Sequence, residues 1–298
     1  MANYKPQVAL LLSVLPEMAK EECFALHGGT AINLFVREMP RLSVDIDLTY
    51  IPLEDRKTSF ENINDALARI KGNVEAVVLN AKVIHKPIEL KLQISNGIAQ
   101  IKVEVNQGIR GIIEEPVNMQ LCERAQEAFD AFCEIQVVPS GQLHGGKICA
   151  ALDRQHPRDL FDVKSLLDNE GFNDEIKKGF LFGLLSSKRP LYELLYPNLL
   201  DQRSAMANQY EGMSEEGFTY EDFEKTRNRL IKTIHESLTN EDKKFLLNFE
   251  KGAPDWEVYD FKDFPAVQWK QQNLQKLKEG NPQKHQEQIG FLKDQLNI

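Results

Sequence analysis

The sequence predicts an α+β fold, with an α/β first half and a mainly helical second half. Three observations predict it. The runs VEAVVLNAKVIH, IELKLQIS and IAQIKVEVN alternate apolar and polar residues, as half-buried strands do. A glycine pair, Gly28-Gly29, separates a short apolar run from a segment with helical spacing. Beyond Val138 the period changes, and GKICAALDR, RDLFDVKSLL and residues 178–185, 220–238 and 241–249 all read as helices. A chain of 298 residues has room for one large or two small domains. The boundary is placed at Pro139-Ser140-Gly141, dividing the chain into 1–139 and 140–298.

The elements follow in order. Lys5 to Lys20 is a helix, bent or broken near Pro16. Phe24 to His27 is a short strand. Thr30 to Arg37 is helical, with Gly29 and Thr30 as turn and cap. Val44 to Tyr50 is a strand, and Asp55 to Ile70 an amphipathic helix. The three alternating runs come next, two of them joined by a tight turn at Asn96-Gly97. The tail from Gly252 includes FPAVQWKQQNLQKL, a final helix with Val267, Leu274 and Leu277 on one side, read as a segment that docks back on the body.

Hydrophobic residues make up 42% of the chain, enough for a core and against disorder. The apolar run Val8 to Leu15 is too short to span a bilayer and stops at Pro16-Glu17. The start, MANYKP, lacks the basic region and cleavage site of a signal peptide. Cys23, Cys122, Cys133 and Cys149 form no CxxC pair, so reduced thiols in a cytoplasmic protein are expected. The net charge of −9 runs against an extensive nucleic-acid footprint, leaves room for a local basic cleft and suits a basic protein partner.

The residues that point to chemistry lie in HGGTAINLF and RLSVDIDLTY. Asp45 and Asp47, two apart on a strand, share a face. Their neighbours Val44, Ile46 and Leu48 are apolar and belong to the opposite, buried face. A glycine turn nearby brings backbone N–H groups up to a phosphate. Two carboxylates beside a phosphate cradle suit Mg²⁺-dependent phosphoryl or nucleotidyl transfer. Glu104, on a strand face shared with Lys102 and Asn106, is the natural third carboxylate; the alternative is an ordinary exposed strand residue. In GKICAALDRQHPRDLFDVK, Lys147, Ala151 and Arg154 share a helical face. Asp159 and Asp162 lie on the next helix, after Pro157. Lys147 is suited to balancing triphosphate charge, with Asp162 orienting it or binding the acceptor; the alternative is an inter-helix salt-bridge network. GQLHGGK fits GxxxxGK of a P-loop, but Ile148 stands where the Mg²⁺-ligating hydroxyl belongs. His27 is suited either to phosphate or to a buried hydrogen bond.

Taken together, HGGTAINLF…RLSVDIDLTY, IKVEVN and GKICAALDRQHPRDLFDVKSLL resemble the AbiEii/AbiGii-type nucleotidyltransferase toxins, a family of the DNA polymerase β-like nucleotidyltransferase superfamily that includes the MenT toxins. The motifs cover roughly residues 20–170, and the FPAVQWKQQNLQKL tail is similar to the family's C-terminal segment. The resemblance implies a bilobed protein, a mixed-sheet nucleotidyltransferase core followed by a helical domain. It implies transfer of a nucleoside monophosphate from an NTP, with Mg²⁺, to the 3′ end of tRNA, blocking aminoacylation and growth. It also implies an AbiEi-like antitoxin encoded alongside, in a phage-defence or toxin–antitoxin module. By position, Gly28, Gly29 and Thr30 match the triphosphate motif, and Ser43 matches the small hydroxyl residue before the first acid. Asp45 and Asp47 match the metal-binding acids, Lys147 the nucleotide-contacting lysine and Asp162 the later aspartate. Glu104 fits the superfamily's third acid by its place on the strand. Two alternatives stand beside this reading: nucleotidyl transfer to a protein hydroxyl, and a non-catalytic binding module.

Overall fold

The computed structural model describes residues 4–298, which fall into two compact units. The first runs to Pro139 and takes in Ala207–Gly217; the second comprises Ser140–Met206 and Phe218–Ile298. The excursion at 207–217 thus falls in the first unit, although the sequence reading places it in the second.

In the first unit, α1 (Lys5–Ala19) precedes β1 (Phe24–His27), a short α2 (Gly28–Ala31) that continues as a π turn over Ile32–Val36, and β2 (Asp45–Tyr50). Then come α3 (Arg56–Val77), β3 (Lys82–Lys86), β4 (Lys91–Ser95), β5 (Gln100–Val105), β6 (Val117–Gln120), α4 (Glu123–Phe129) and β7 (Glu134–Val137). These strands form one mixed sheet in the order β3-β4-β5-β2-β1-β7-β6. β2 runs parallel to β5 and β1 parallel to β7, and the other pairs are antiparallel. One face carries the core: Val83, Leu92, Ile94, Ile101, Val103, Ile46 and Leu48 are buried there, against α1 and α3.

α1 passes through Pro16 without ending. Its residues Val8, Leu11, Leu12, Val14, Leu15 and Met18 are all buried, and this burial holds the helix together across the missing N–H. The run VEAV, expected in a strand, is helical. Ile63, Leu67, Ile70 and Val74 continue one buried stripe at helical spacing, so α3 extends to Val77 and β3 starts only at Lys82. Asp55 caps α3, accepting from the Lys57 and Thr58 N–H groups. At the expected turn, Asn96 Oδ1 accepts from the N–H groups of Ile98 and Ala99, and Gly97 takes a φ of +86°.

The second unit is helical: α5 (Ser140–Asp153), α6 (Pro157–Asn169), α7 (Asp174–Ser186), α8 (Leu191–Leu195), a one-turn α9 (Arg203–Ala205), α10 (Tyr220–Ser237), α11 (Asn240–Glu250), α12 (Pro265–Gly280) and α13 (Pro282–Leu296). Thr219 with Asp222 and Thr239 with Asp242 form capping boxes at the starts of α10 and α11. The GQLHGGK stretch lies inside α5 and is not a phosphate loop. In the tail helix α12, Val267 and Leu274 are buried, Leu277 is partly so, and α13 follows it.

Candidate active site

The site starts from the backbone at Gly28. This residue leaves β1 with a φ of +74°, a left-handed conformation that L side chains rarely adopt. A Cβ placed there would lie 2.3 Å from Asp47 Oδ2. The missing side chain is the space that the Asp47 carboxylate occupies. At Gly29 a Cβ would lie 2.8 Å from Arg41 Nη2 and 3.2 Å from Ser43 Oγ. The glycine pair therefore lets a carboxylate and a guanidinium come against the chain at the turn.

Thr30 joins this turn to β2. It is fully buried, its Oγ1 donates to the Asp45 carbonyl oxygen at 2.5 Å, and it lies 2.9 Å from Ser43 Oγ. Asn33 Nδ2 donates to the Gly29 carbonyl oxygen at 2.9 Å. His27 stands opposite Asp47 in the antiparallel β1–β2 pair, with Nδ1 3.0 Å from Thr49 Oγ1. Gly28, Gly29, Thr30, Ser43, Asp45 and Asp47 are thus brought together, on one turn and one strand. Asp45 and Asp47 are both half-buried, while Ile46 and Leu48 point into the core.

Glu104 lies opposite Asp47 in the parallel β2–β5 register, and Lys102 opposite Asp45. The Glu104 carboxylate is ion-paired with Lys91 of β4. Among the described residues no three His, Cys, Asp or Glu side chains are gathered as a metal-holding group, so the expected three-acid arrangement is not assembled here.

A second constellation forms within the helical unit. Lys147 Nζ on α5 lies 2.9 Å from Asp159 Oδ1 and 3.1 Å from Asp162 Oδ2 on α6. Arg154 adds a forked contact to Asp159, at 2.6 and 3.0 Å. Lys147, Asp159 and Asp162 are all buried. Burial works to raise the Asp159 carboxyl, but Lys147 and Arg154 outweigh it and hold the group below the usual carboxylate range. Lys147 and Asp162 are thus brought together, and the network ties α5 to α6.

Residues 9–273 match the family described as Nucleotidyl transferase AbiEii toxin, Type IV TA system. The chain belongs to the AbiEii family. It is a nucleotidyltransferase toxin of a type IV toxin–antitoxin system, and such a system implies an antitoxin partner. Its fold is similar to that of MenT4, a nucleotidyltransferase toxin from Mycobacterium tuberculosis H37Rv. The TM-score is 0.60 at 11% identity, covering 90% of this chain and 92% of that one. No curated protein matches the sequence.

Set in the AbiEii family, the donor chemistry of the turn can be tested against Mg²⁺. Two carboxylates, hard oxygen donors on one strand face beside a glycine turn, fit an ion that is held by one or two carboxylates plus substrate phosphates. Arg41 is the residue that sequence reasoning missed. It is 3% exposed, and Nη1 donates to the Leu42 carbonyl oxygen at 2.9 Å. The segment 207–217 fixes it, through an Arg41–Ser214 bridge and a Met213 carbonyl that accepts from Leu42 N at 2.7 Å. A signal was present: Arg41, Ser43, Asp45 and Asp47 recur at two-residue intervals in RLSVDID. Among the described residues, no helix is long and apolar enough to cross a membrane.

Proposed function

We propose that this toxin transfers a nucleoside monophosphate from an NTP to the 3′ end of tRNA in the cytoplasm: the 3′-hydroxyl oxygen bonds to the α-phosphorus, pyrophosphate leaves, and aminoacylation and growth stop. The observation that carries the reading is the Asp47 carboxylate seated in the space left by Gly28. It couples the acidic strand to the turn that receives the phosphates. Asp45 and Asp47 would hold Mg²⁺, which when bound offsets charge on the phosphates and lowers the pKa of the attacking hydroxyl. The Gly28-Gly29 turn and Arg41 receive the triphosphate. Thr30 and Ser43, hydrogen-bonded behind them, set the position of Asp45. Glu104, opposite Asp47 in register, takes the proton of the incoming 3′-hydroxyl. Lys147 is held by Asp159 and Asp162 within the helical unit, at 2.9 and 3.1 Å. Asp162 is then an orienting group.

The test is incubation of the purified toxin with total tRNA, Mg²⁺ and each α-³²P-NTP in turn, beside an Asp47→Ala variant. Label enters tRNA from one NTP and falls to background in the variant. Label in a protein instead would move the acceptor to a protein hydroxyl, and no label with no NTP binding would leave the carboxylates as structure.

A further inference from the structure

The sheet face that carries Asp45 and Asp47 continues beyond them as an open, lysine-bearing surface. Its layout follows from strand register. One cross-strand row runs Asp47, Glu104, Lys91, Lys86. The next runs Asp45, Lys102, Gln93, Ile84, and a third runs Gln100, Ser95, Lys82. Residues directly opposite on neighbouring strands share a face, as do alternate residues along a strand, so all three rows point the same way. The other face of the same strands is the buried one. Lys82, Ile84, Gln100 and Lys102 are exposed, Ile84 at 60%.

Lys86 is paired with Glu89 at 3.5 Å and Lys91 with Glu104. Among the described residues, no carboxylate comes within 4 Å of Lys82 or Lys102. In a chain of net charge −9, Lys82 and Lys102 are thus the two lysines of this face whose charge is not offset by an ion pair. The face begins at the reactive carboxylates, where Lys102 stands opposite Asp45.

We propose that this face of β3, β4 and β5 docks the phosphate backbone of the RNA acceptor and leads its 3′ end to Asp45 and Asp47. The proposal rests on the RNA-transfer reading above and supplies what the acidic composition lacks. Lysines on one strand face recur at multiples of ~7 Å, and neighbouring strands lie ~5 Å apart. An array on that scale meets successive phosphates of an extended strand. The three rows hold no aromatic side chain on which a base would stack, so the face positions RNA without reading its sequence.

The experiment compares the full-length toxin with a Lys82→Gln/Lys102→Gln variant. A Lys244→Gln/Lys251→Gln variant, changed at two exposed lysines of the helical unit, controls for net charge. Deacylated total tRNA with a 5′ fluorophore is the probe, titrated by anisotropy across a salt series. NTP affinity and the KM for tRNA labelling are measured in parallel. The sheet variant is expected to lose about two units from the slope of log K against log salt, one per lysine, and to raise the KM for tRNA roughly tenfold. Its NTP affinity stays unchanged, and the control variant stays close to wild type. Wild-type labelling of tRNA with no change in the sheet variant, or equal losses in both variants, would overturn the docking face and leave the RNA reading standing. No salt-dependent tRNA binding by the wild type, with label entering protein, would overturn both.

Discussion

Gly28 and Gly97 take the same left-handed backbone, with φ of +74° and +86°, in opposite surroundings. An alanine in that region costs about 1–2 kcal/mol at either position. At Gly97 nothing lies within 4 Å of the new Cβ, whereas at Gly28 the new Cβ collides with Asp47 Oδ2. Gly97→Ala is therefore expected to lower stability by about that amount and leave nucleotidyl transfer intact. Gly28→Ala is expected to lower it comparably and to abolish transfer, because Asp47 must move. Thermal melts beside α-³²P-NTP labelling separate the two, and equal activity in both variants would show that Asp47 tolerates displacement. This part of the site was legible because its residues lie in two short runs, 28–30 and 43–47, and their types are restricted by chemistry. Arg41 shares their two-residue spacing, but its role depends on 207–217, a segment more than 160 residues away in sequence that sets its position.

The glycines of GQLHGGK show how an element can imitate a motif. Gly141 and Gly145 on α5 meet Gly179 and Gly183 on α7, both pairs four apart and so on one face of each helix. A Cβ on Gly179 would lie 1.8 Å from the Gly141 carbonyl oxygen, and one on Gly145 2.2 Å from Gly179 C. The small residues are there so that two backbones can touch, and no phosphate is involved. Gly179→Ala is expected to destabilise by about 1–3 kcal/mol, since the obstacle is main chain that cannot swing aside. Gly72→Ala, inside α3 with open space around it, is expected to stabilise by roughly 0.5–1 kcal/mol. Chemical denaturation of both variants checks the contrast, and a stable Gly179→Ala protein would mean that the two helices separate freely. The alternating strands β4 and β5, with one face in the core, were plain in the sequence. β6, α4 and α13 were not. β6 is an edge strand whose Val117, Asn118 and Gln120 are exposed, so it shows no alternation, and α4 buries only Ala125.

The acid response of the whole molecule is a sum of groups with opposite signs. Burial opposes ionisation of Asp159 and Asp242. It is outweighed by Lys147 and Arg154 at the first, and by Tyr259, Thr239 and Lys177 at the second, so both lie below their ordinary value of 3.8. Their stabilisation is complete above that value and is lost as pH falls beneath it. Glu250 has the opposite sign. It is 1% exposed, and neither carboxylate oxygen meets a hydrogen-bond partner among the described residues. Burial raises it above 4.5 despite Lys270 and His285 nearby, and Tyr192 also feels its charge. Lys270 spends its donors on the carbonyl oxygens of Leu184, Ser187 and Arg189, at 3.1, 3.0 and 2.7 Å, and His285 Nε2 donates to the Glu250 main-chain carbonyl. A carboxyl raised on folding binds its proton more readily in the native state, so its contribution improves as pH falls toward 4.5. His85 and His235, both lowered by burial, lose stability as pH falls through 6.5 and mask that gain in the raw profile. Lys270, pushed down to about 8, acts only at higher pH. The difference in melting temperature between wild type and Glu250→Gln isolates the buried acid. It is expected to shift in favour of wild type as pH drops from 7 to about 4.5 and to level off below. The loss below 3.8 remains in both proteins, because Asp159, Asp242 and the other carboxylates held below their ordinary values, such as Asp168 and Asp222, are present in each. A pH-independent difference above 4.5 would mean that Glu250 titrates as an ordinary exposed carboxylate, and that the helical unit opens around it more than its burial implies.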